Sequence, residues 1–264
     1  MRLVSLGDLI LDVIVGLDEP LVPGDDRIAT TRVGAGGQAA NVAAWAASLG
    51  AEARYVGKRG ADSAGQLAAG ELARHGVEIS GPAAGRNGVV VSIACGGERS
   101  MASDRGSAIE LEPDELEPGW FRCDRLHVSG YALLREPVAF AALRAVEFAR
   151  AEGAEISVDL SASTLIDDTF RARVAACGPE TIFATESERD AFGALDAAWV
   201  VKRGAAGVNV AGVSHPALPI EAIDPTGAGD AFAAGYLVGG VQLGLEAAAR
   251  CCATLGAMPG EPSP

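Results

Sequence analysis

The sequence predicts an α/β fold: a doubly wound, mostly parallel sheet flanked by helices, with a small β lid set apart from it. Three observations carry that expectation. From residue 125 onward, short runs rich in Val, Ile and Leu alternate with Ala-rich stretches of helical length, the order that gives parallel pairing with right-handed crossovers. Hydrophobic residues make up 49% of the chain and aromatic residues only 5%, so the core is aliphatic, which suits strands buried on both faces. One pair of strand-like runs lies outside the alternation and is joined by two glycines, the mark of a hairpin.

Taken in order, Leu3 to Leu6 reads as a first strand stopped by Gly7-Asp8, and Leu9 to Val15 as its extension. After Gly34-Ala35-Gly36-Gly37, Ala39 to Leu49 has no Pro or Gly and is closed by Gly50, a helix with its C-terminal stop. Arg54 to Val56 is a strand and Ser63 to His75 a helix ending at Gly76. Val89 to Ala94 and Arg99 to Ala102 flank Gly96-Gly97 as the hairpin. With residues from about 13 to 33 it forms the lid, whose second part spans about 86–105. Strands then follow at Leu126–Val128, Ile156–Asp159, Thr181–Phe183 and Ala198–Val201, with helices at Val138–Ala151, Asp168–Ala176 and Glu188–Phe192 between them. Two Ala-rich helices, about Ala228–Val238 and Leu245–Leu255, close the chain. At 264 residues this is expected to be one domain, 1–264.

Composition excludes several function classes. The chain carries 35 acidic and 21 basic residues, a formal charge of −14, which repels nucleic-acid phosphates and anionic membranes. An anionic ligand therefore needs a local positive site, from a metal ion or helix N-termini. The five cysteines, Cys95, Cys123, Cys177, Cys251 and Cys252, have no C-x-x-C spacing, so neither a disulfide framework nor a zinc site is expected, and a reducing cytoplasm is the simplest location. The N-terminus has no signal-peptide core and no run approaches a membrane span. His75, His127 and His215 lack metal-ligand spacing, and no serine sits in a nucleophile elbow.

Two glycine motifs carry the chemistry. Thr226-Gly227-Ala228-Gly229-Asp230 enters a helix, so unpaired N–H groups and the dipole face an incoming anion, while Asp230 in the first turn reaches a substrate hydroxyl beside it. Read alone, the segment serves equally as an ordinary cap. Gly36-Gly37-Gln38-Ala39-Ala40-Asn41 also enters a helix and reads either as a tight turn or as a polar ligand site with Asn41 as donor and acceptor.

Together the two motifs, in this order, resemble the signatures of the PfkB, or ribokinase-like, family of carbohydrate kinases. The first covers Gly36-Gly37-x-Ala39-x-Asn41, with Gly50 and Gly60 in their later places, and the second runs from Asp224 through Leu237. Gly7-Asp8-x-x-x-Asp12 is similar to the family's first-strand segment. Gly60-Ala61-Asp62-x-x-Gly65 and Gly76-Val77 match landmarks with a structural role, and the resemblance extends over nearly the whole chain.

The resemblance implies ATP-dependent phosphorylation of a sugar or sugar-like polyol. Asp230 would be the general base and Gly227, Ala228 and Gly229 the anion hole. Asp12, Asp8, Gly36, Gly37 and Asn41 would meet the acceptor. Lys202, Gly204 and Gly207, in Val201-Lys202-Arg203-Gly204-Ala205-Ala206-Gly207, would meet the nucleotide, although Lys202 reads equally as a strand-end residue. Thr185-Glu186-Ser187-Glu188 falls where the family has Asn-x-x-Glu, so Glu188 takes the magnesium role while Thr185 departs from the Asn. Arg105, or Asp104, after the hairpin would reach the substrate, against the alternative of a protective edge-strand charge. The loop of Asp224 and Thr226 brings a monovalent cation, potassium, into the implied set, and the lid implies a homodimer. Two alternatives stay open: a nucleoside or vitamin kinase with the same chemistry, and a sugar-sensing protein without turnover.

Overall fold

The computed structural model describes residues 1–96 and 98–260. Strand β1 (Arg2–Leu6) is buried at its last four positions. The chain then leaves the main sheet: β2 (Ile10–Leu17) pairs antiparallel with β3 (Ala29–Gly36) in a separate sheet. The run Leu9 to Val15, expected to extend the first strand, is thus mostly a strand of the smaller sheet. Its half-buried pattern fits a strand covered on neither face as fully as β1 is. Helix α1 (Gln38–Ser48) follows, buried at every position from Ala39 to Ala46. Alanine suits it because the helix lies between the sheet and a second helix.

Strand β4 (Glu52–Val56), α2 (Ser63–Arg74) and β5 (Glu78–Ser80) complete one wing of the main sheet. Strands β6 (Asn87–Cys95) and β7 (Glu98–Gly106) form the expected hairpin and join the smaller sheet in the order β3-β2-β6-β7. Gly97, expected in its turn, lies outside the described residues. The other wing is built from β8 (Arg125–Ser129), α3 (Val138–Ala151), β9 (Glu155–Asp159), α4 (Asp168–Cys177), β10 (Thr181–Thr185), α5 (Glu186–Phe192) and β11 (Ala198–Lys202). It ends in the antiparallel pair β12 (Val208–Val210) and β13 (Val213–His215). Helices α6 (Ala228–Gly239) and α7 (Val241–Cys252) close the fold.

The nine-stranded order is β13-β12-β11-β10-β9-β8-β1-β4-β5. From β5 to β11 every pairing is parallel. The winding reverses at β1, which pairs with β4 on one side and β8 on the other. Carboxyl ends of strands at such a switch point border a crevice, and Gly7-Asp8 opens into it.

Alternation along each strand divides the core into two layers. Leu3, Tyr55 and Phe183 face α1, α2, α6 and α7, whereas Val4, Val56 and Ile182 face α3, α4 and α5. Phe183 is fully buried with its ring edge-on to Phe232 and Tyr236 of α6, which fixes α6 over the carboxyl end of the sheet. Burial of a side chain of this size contributes roughly 1.5–3 kcal/mol. Among the described residues, no helix is long and apolar enough to cross a membrane.

Candidate active site

The loop into α6 is held by its own acid. Asp224 accepts from the amide and hydroxyl of Thr226 through one oxygen and from the amide of Gly256, at 3.0 Å, through the other. Gly227 has φ 76°, and a Cβ there would lie 2.5 Å from that of Ala257, so glycine is required for both conformation and space. The turn leaves the first amides of α6 without intrahelical partners. Of the three residues expected to form an anion hole, Ala228 uses its N–H to close a turn on the Pro225 carbonyl at 3.2 Å. Gly227 and Gly229 flank it.

Asp230 lies in the first turn of α6, partly open to the crevice and otherwise enclosed. Asn41 of α1 donates its Nδ2 to Asp230 Oδ2 at 2.7 Å. The two glycine motifs, 189 residues apart, therefore meet at a single hydrogen bond. Burial, seconded by the negative charge of Asp159, pushes the Asp230 carboxyl up to about 7, against the opposing pull of Asn41 and Lys202.

On the β11 side, Lys202 reaches across the end of β10 to Asp159 at the end of β9. Its ammonium lies 2.7 Å from both carboxylate oxygens, and Asp159 is fully buried. Burial pushes Asp159 up to about 6, and the adjacent carboxylate holds Lys202 above the ordinary lysine range; at neutral pH the pair is ionic. A Cβ on Gly229 would lie 3.3 Å from the Lys202 ammonium, so the cation borders the start of α6. From here a cavity of about 610 Å³ opens. Lys202, Gly204, Gly207 and Gly229 line it together with the apolar Leu218, Ile220 and Leu245. Such a lining, one ammonium and glycine backbone among apolar side chains, suits a ligand that carries both anionic groups and a flat ring.

On the β1 side, Asp8 is 4% exposed and pairs with Arg105 of β7. The Arg105 guanidinium lies 3.8 Å above the Tyr131 ring, a cation–π contact that holds it from the second face. Gly37 has φ 104°, and a Cβ there would lie 2.5 Å from the Asp8 carbonyl. A side chain at Gly36 would run into the Asp12 carboxylate. Asp8, Asp12, Gly36, Gly37, Asn41 and Arg105 are thus gathered on this side of Asp230. Asp104 is not: it is exposed and paired with Arg86.

Thr185 caps α5, accepting from the Glu188 amide while Glu188 Oε2 accepts from the Thr185 amide at 2.7 Å. The departure from Asn at 185 therefore preserves the helix start, which begins two residues earlier than expected. One Glu188 oxygen is committed to the cap, and among the described residues no three His, Cys, Asp or Glu side chains cluster as a metal cage. That donor set fits a magnesium ion carried in on phosphates, which keeps most of its waters and takes few protein ligands.

Asp159 and Tyr131, which border the site, belong to neither glycine motif. Asp159 had a signal, an acid ending an apolar strand at the ligand-binding edge of a parallel sheet. Tyr131 had none, since it sits in a short 3-10 turn after β8. His127 is a core residue, fully buried with Nδ1 3.0 Å from Ser157 Oγ, and burial lowers it to about 3.

Comparison with known proteins gives the family and the fold. A family model described as pfkB family carbohydrate kinase matches residues 1–258. An ATP-dependent ribose-1-phosphate kinase of Halopiger xanaduensis is 30% identical over 276 residues, covering 95% of this chain and 90% of that protein. A fructokinase of Klebsiella pneumoniae is 32% identical over 265 residues, covering 89% and 82%. A sugar kinase of Pyrococcus horikoshii, solved in complex with ATP, superposes with a TM-score of 0.82 at 20% identity over 98% of this chain and 95% of that one, a likeness of fold.

Proposed function

The chain belongs to the pfkB family of carbohydrate kinases, and from that premise we propose that it transfers the γ-phosphoryl group of ATP to a hydroxyl of a sugar or sugar-like polyol, with Asp230 as general base. The observation that carries this reading is the position of Asp230. It follows Ala228 and Gly229, which with Lys202 line the cavity, and on its other side accepts from Asn41 beside Asp8 and Asp12. A carboxyl raised to about 7 is poised to accept a proton near neutral pH.

In this reading ATP lies with its ring against the apolar lining of the cavity and its phosphates toward Lys202, Gly204, Gly207 and Thr226. The amides of Gly227 and Gly229, with the intervening Ala228 holding the turn, stabilise charge on the transferring group. Asp12, Gly36, Gly37 and Asn41 orient the acceptor, and Asp230 takes the proton of the attacking hydroxyl. Magnesium, held through water by Glu188 and by the phosphates, supplies charge neutralisation when bound. The smaller sheet acts as a lid that keeps water from the transferring group. Its exposed Val33 and Met101 are the surface through which a homodimer would form.

The test is ADP release from ATP with a panel of sugars, polyols and nucleosides, with and without potassium. Acceptor-dependent ADP formation supports the reading. Thermal stabilisation by sugars with no ADP formed would replace it with that of a sensor.

A further inference from the structure

Lys202 is the only ionised side chain among the described residues that line the large cavity, so the place of its ammonium decides where that cavity attracts an anion. Three carboxylates compete for it: Asp159, Asp230 and Glu188 each favour its charged form. His127, which also feels its charge, is fully buried and neutral. Geometry settles the competition. The ammonium lies 2.7 Å from both oxygens of Asp159, and among the described residues it forms no ion pair with Asp230 or Glu188. Asp159 is the least solvated of the three, at 0% exposure, and an opposite charge is worth most where water is excluded.

The placement leaves the cation able to bind. An ammonium has three N–H donors; Asp159 takes two, and among the described residues no further acceptor meets the third. The stem of Lys202 runs along the start of α6. A Cβ on Gly229 would lie 3.3 Å from the ammonium and 3.5 Å from Cδ, so glycine there keeps the path clear. Stability is a poor reason for such a pair, because the cost of burying two charges largely cancels their attraction.

We propose that Asp159 is a positioning residue for phosphoryl transfer: it holds the Lys202 ammonium beside the amides that open α6, with one donor free for the incoming phosphates. The proposal rests on the kinase reading above and adds to it a residue that is fully buried and acts through its neighbour. Without Asp159, the flexible four-carbon stem would carry the ammonium toward Asp230 or Glu188, away from the phosphates. Asp159 acts on ATP only by way of Lys202. Its loss is therefore felt in KM for ATP and not in KM for the acceptor.

The experiment is a double-mutant cycle of Asp159→Asn and Lys202→Met, with KM for ATP and for the best acceptor read by ADP formation at pH 8. Asp159→Asn is expected to raise KM for ATP by roughly tenfold or more, with KM for the acceptor held within about twofold. The double variant is expected to match Lys202→Met within about twofold, because the second change removes what the first one positions. Losses that multiply in the double variant, or an equal rise for both substrates, overturn the proposal, since a residue that merely supports the fold gives one or the other. Asp159→Ser replaces Asn in the cycle if the first variant does not fold. A change at Asp159 that folds only with Lys202→Met beside it assigns the residue to stability alone and also overturns the proposal. If the wild type forms no ADP with any acceptor, the kinase reading fails by itself, and ATP titration of the same four proteins decides the positioning: losses that do not multiply support it, and losses that multiply, or no ATP binding at all, refute it.

Discussion

The two sides of Asp230 differ in the polarity of what they present. The β11 side offers donors and positive charge: the Lys202 ammonium and the first amides of α6, in the lining of a large cavity. The β1 side presents acceptors: the buried Oδ1 atoms of Asp8 and Asn41. The first composition suits a ligand rich in anionic oxygen, the second a ligand rich in hydroxyl. In a chain of net charge −14, a polyanion needs such a local cation and helix start to overcome the field of the rest of the surface.

The largest expected break in this comparison is at the boundary. Asp230→Asn should lower kcat by roughly 10²–10⁴-fold with nucleotide binding retained, read by ADP release and by nucleotide titration. The same variant tests the strain of the site. A carboxyl held at about 7 in the fold costs stability as pH rises above its unfolded value and through that range. The variant should therefore melt higher than wild type at pH 8, and the gap should close below pH 4. Lys202→Met comes next: loss of a charged contact to phosphate should reduce kcat/KM for ATP by roughly 10–100-fold, with a smaller change for the acceptor. An equal loss for both substrates would mean that the two sides are not separate.

Smaller but more diagnostic effects come from the residues that tune Asp230 from opposite sides. Wild-type kcat/KM should rise with pH through about 7 as the base ionises. Asp159 raises that value, so Asp159→Asn should move the acid limb to lower pH. Asn41 lowers it, so Asn41→Ala should move the limb to higher pH. Shifts in the same direction would contradict the arrangement. The smallest effect concerns the helix cap: Thr185→Ala should cost about 1 kcal/mol, a Tm drop of about 2–4 °C in a thermal melt.

Much of this was legible in the sequence where the signal is local. Val138 to Ala151 forms the helix at the expected residues, because its alanines and aliphatics need no distant partner to favour that state. The glycine motifs also declared themselves, since a backbone that must turn or approach closely restricts residue choice. The short strands β5, β12 and β13 did not, at three residues each, too brief for any period to emerge. Leu9 to Asp12 is readable as a strand but not as a member of the smaller sheet, which depends on pairing partners. Lys202 and Asp159 are 43 residues apart, and only the parallel order β9-β10-β11 makes them neighbours. The ambiguity over Lys202, phosphate contact or strand-end residue, reflects that missing partner.

The last described segment gives a practical rule for handling this protein. Leu255 takes the Arg32 guanidinium from β3, Gly256 donates to Asp224, and Ala257 accepts the Trp45 indole at 2.8 Å. None of these residues belongs to a strand or helix. A chain cut at Ala253 would keep every element of both sheets, yet it would lose the clamp joining smaller sheet, first helix and the loop into α6. Such a truncate would look folded by circular dichroism and be inert in the assay.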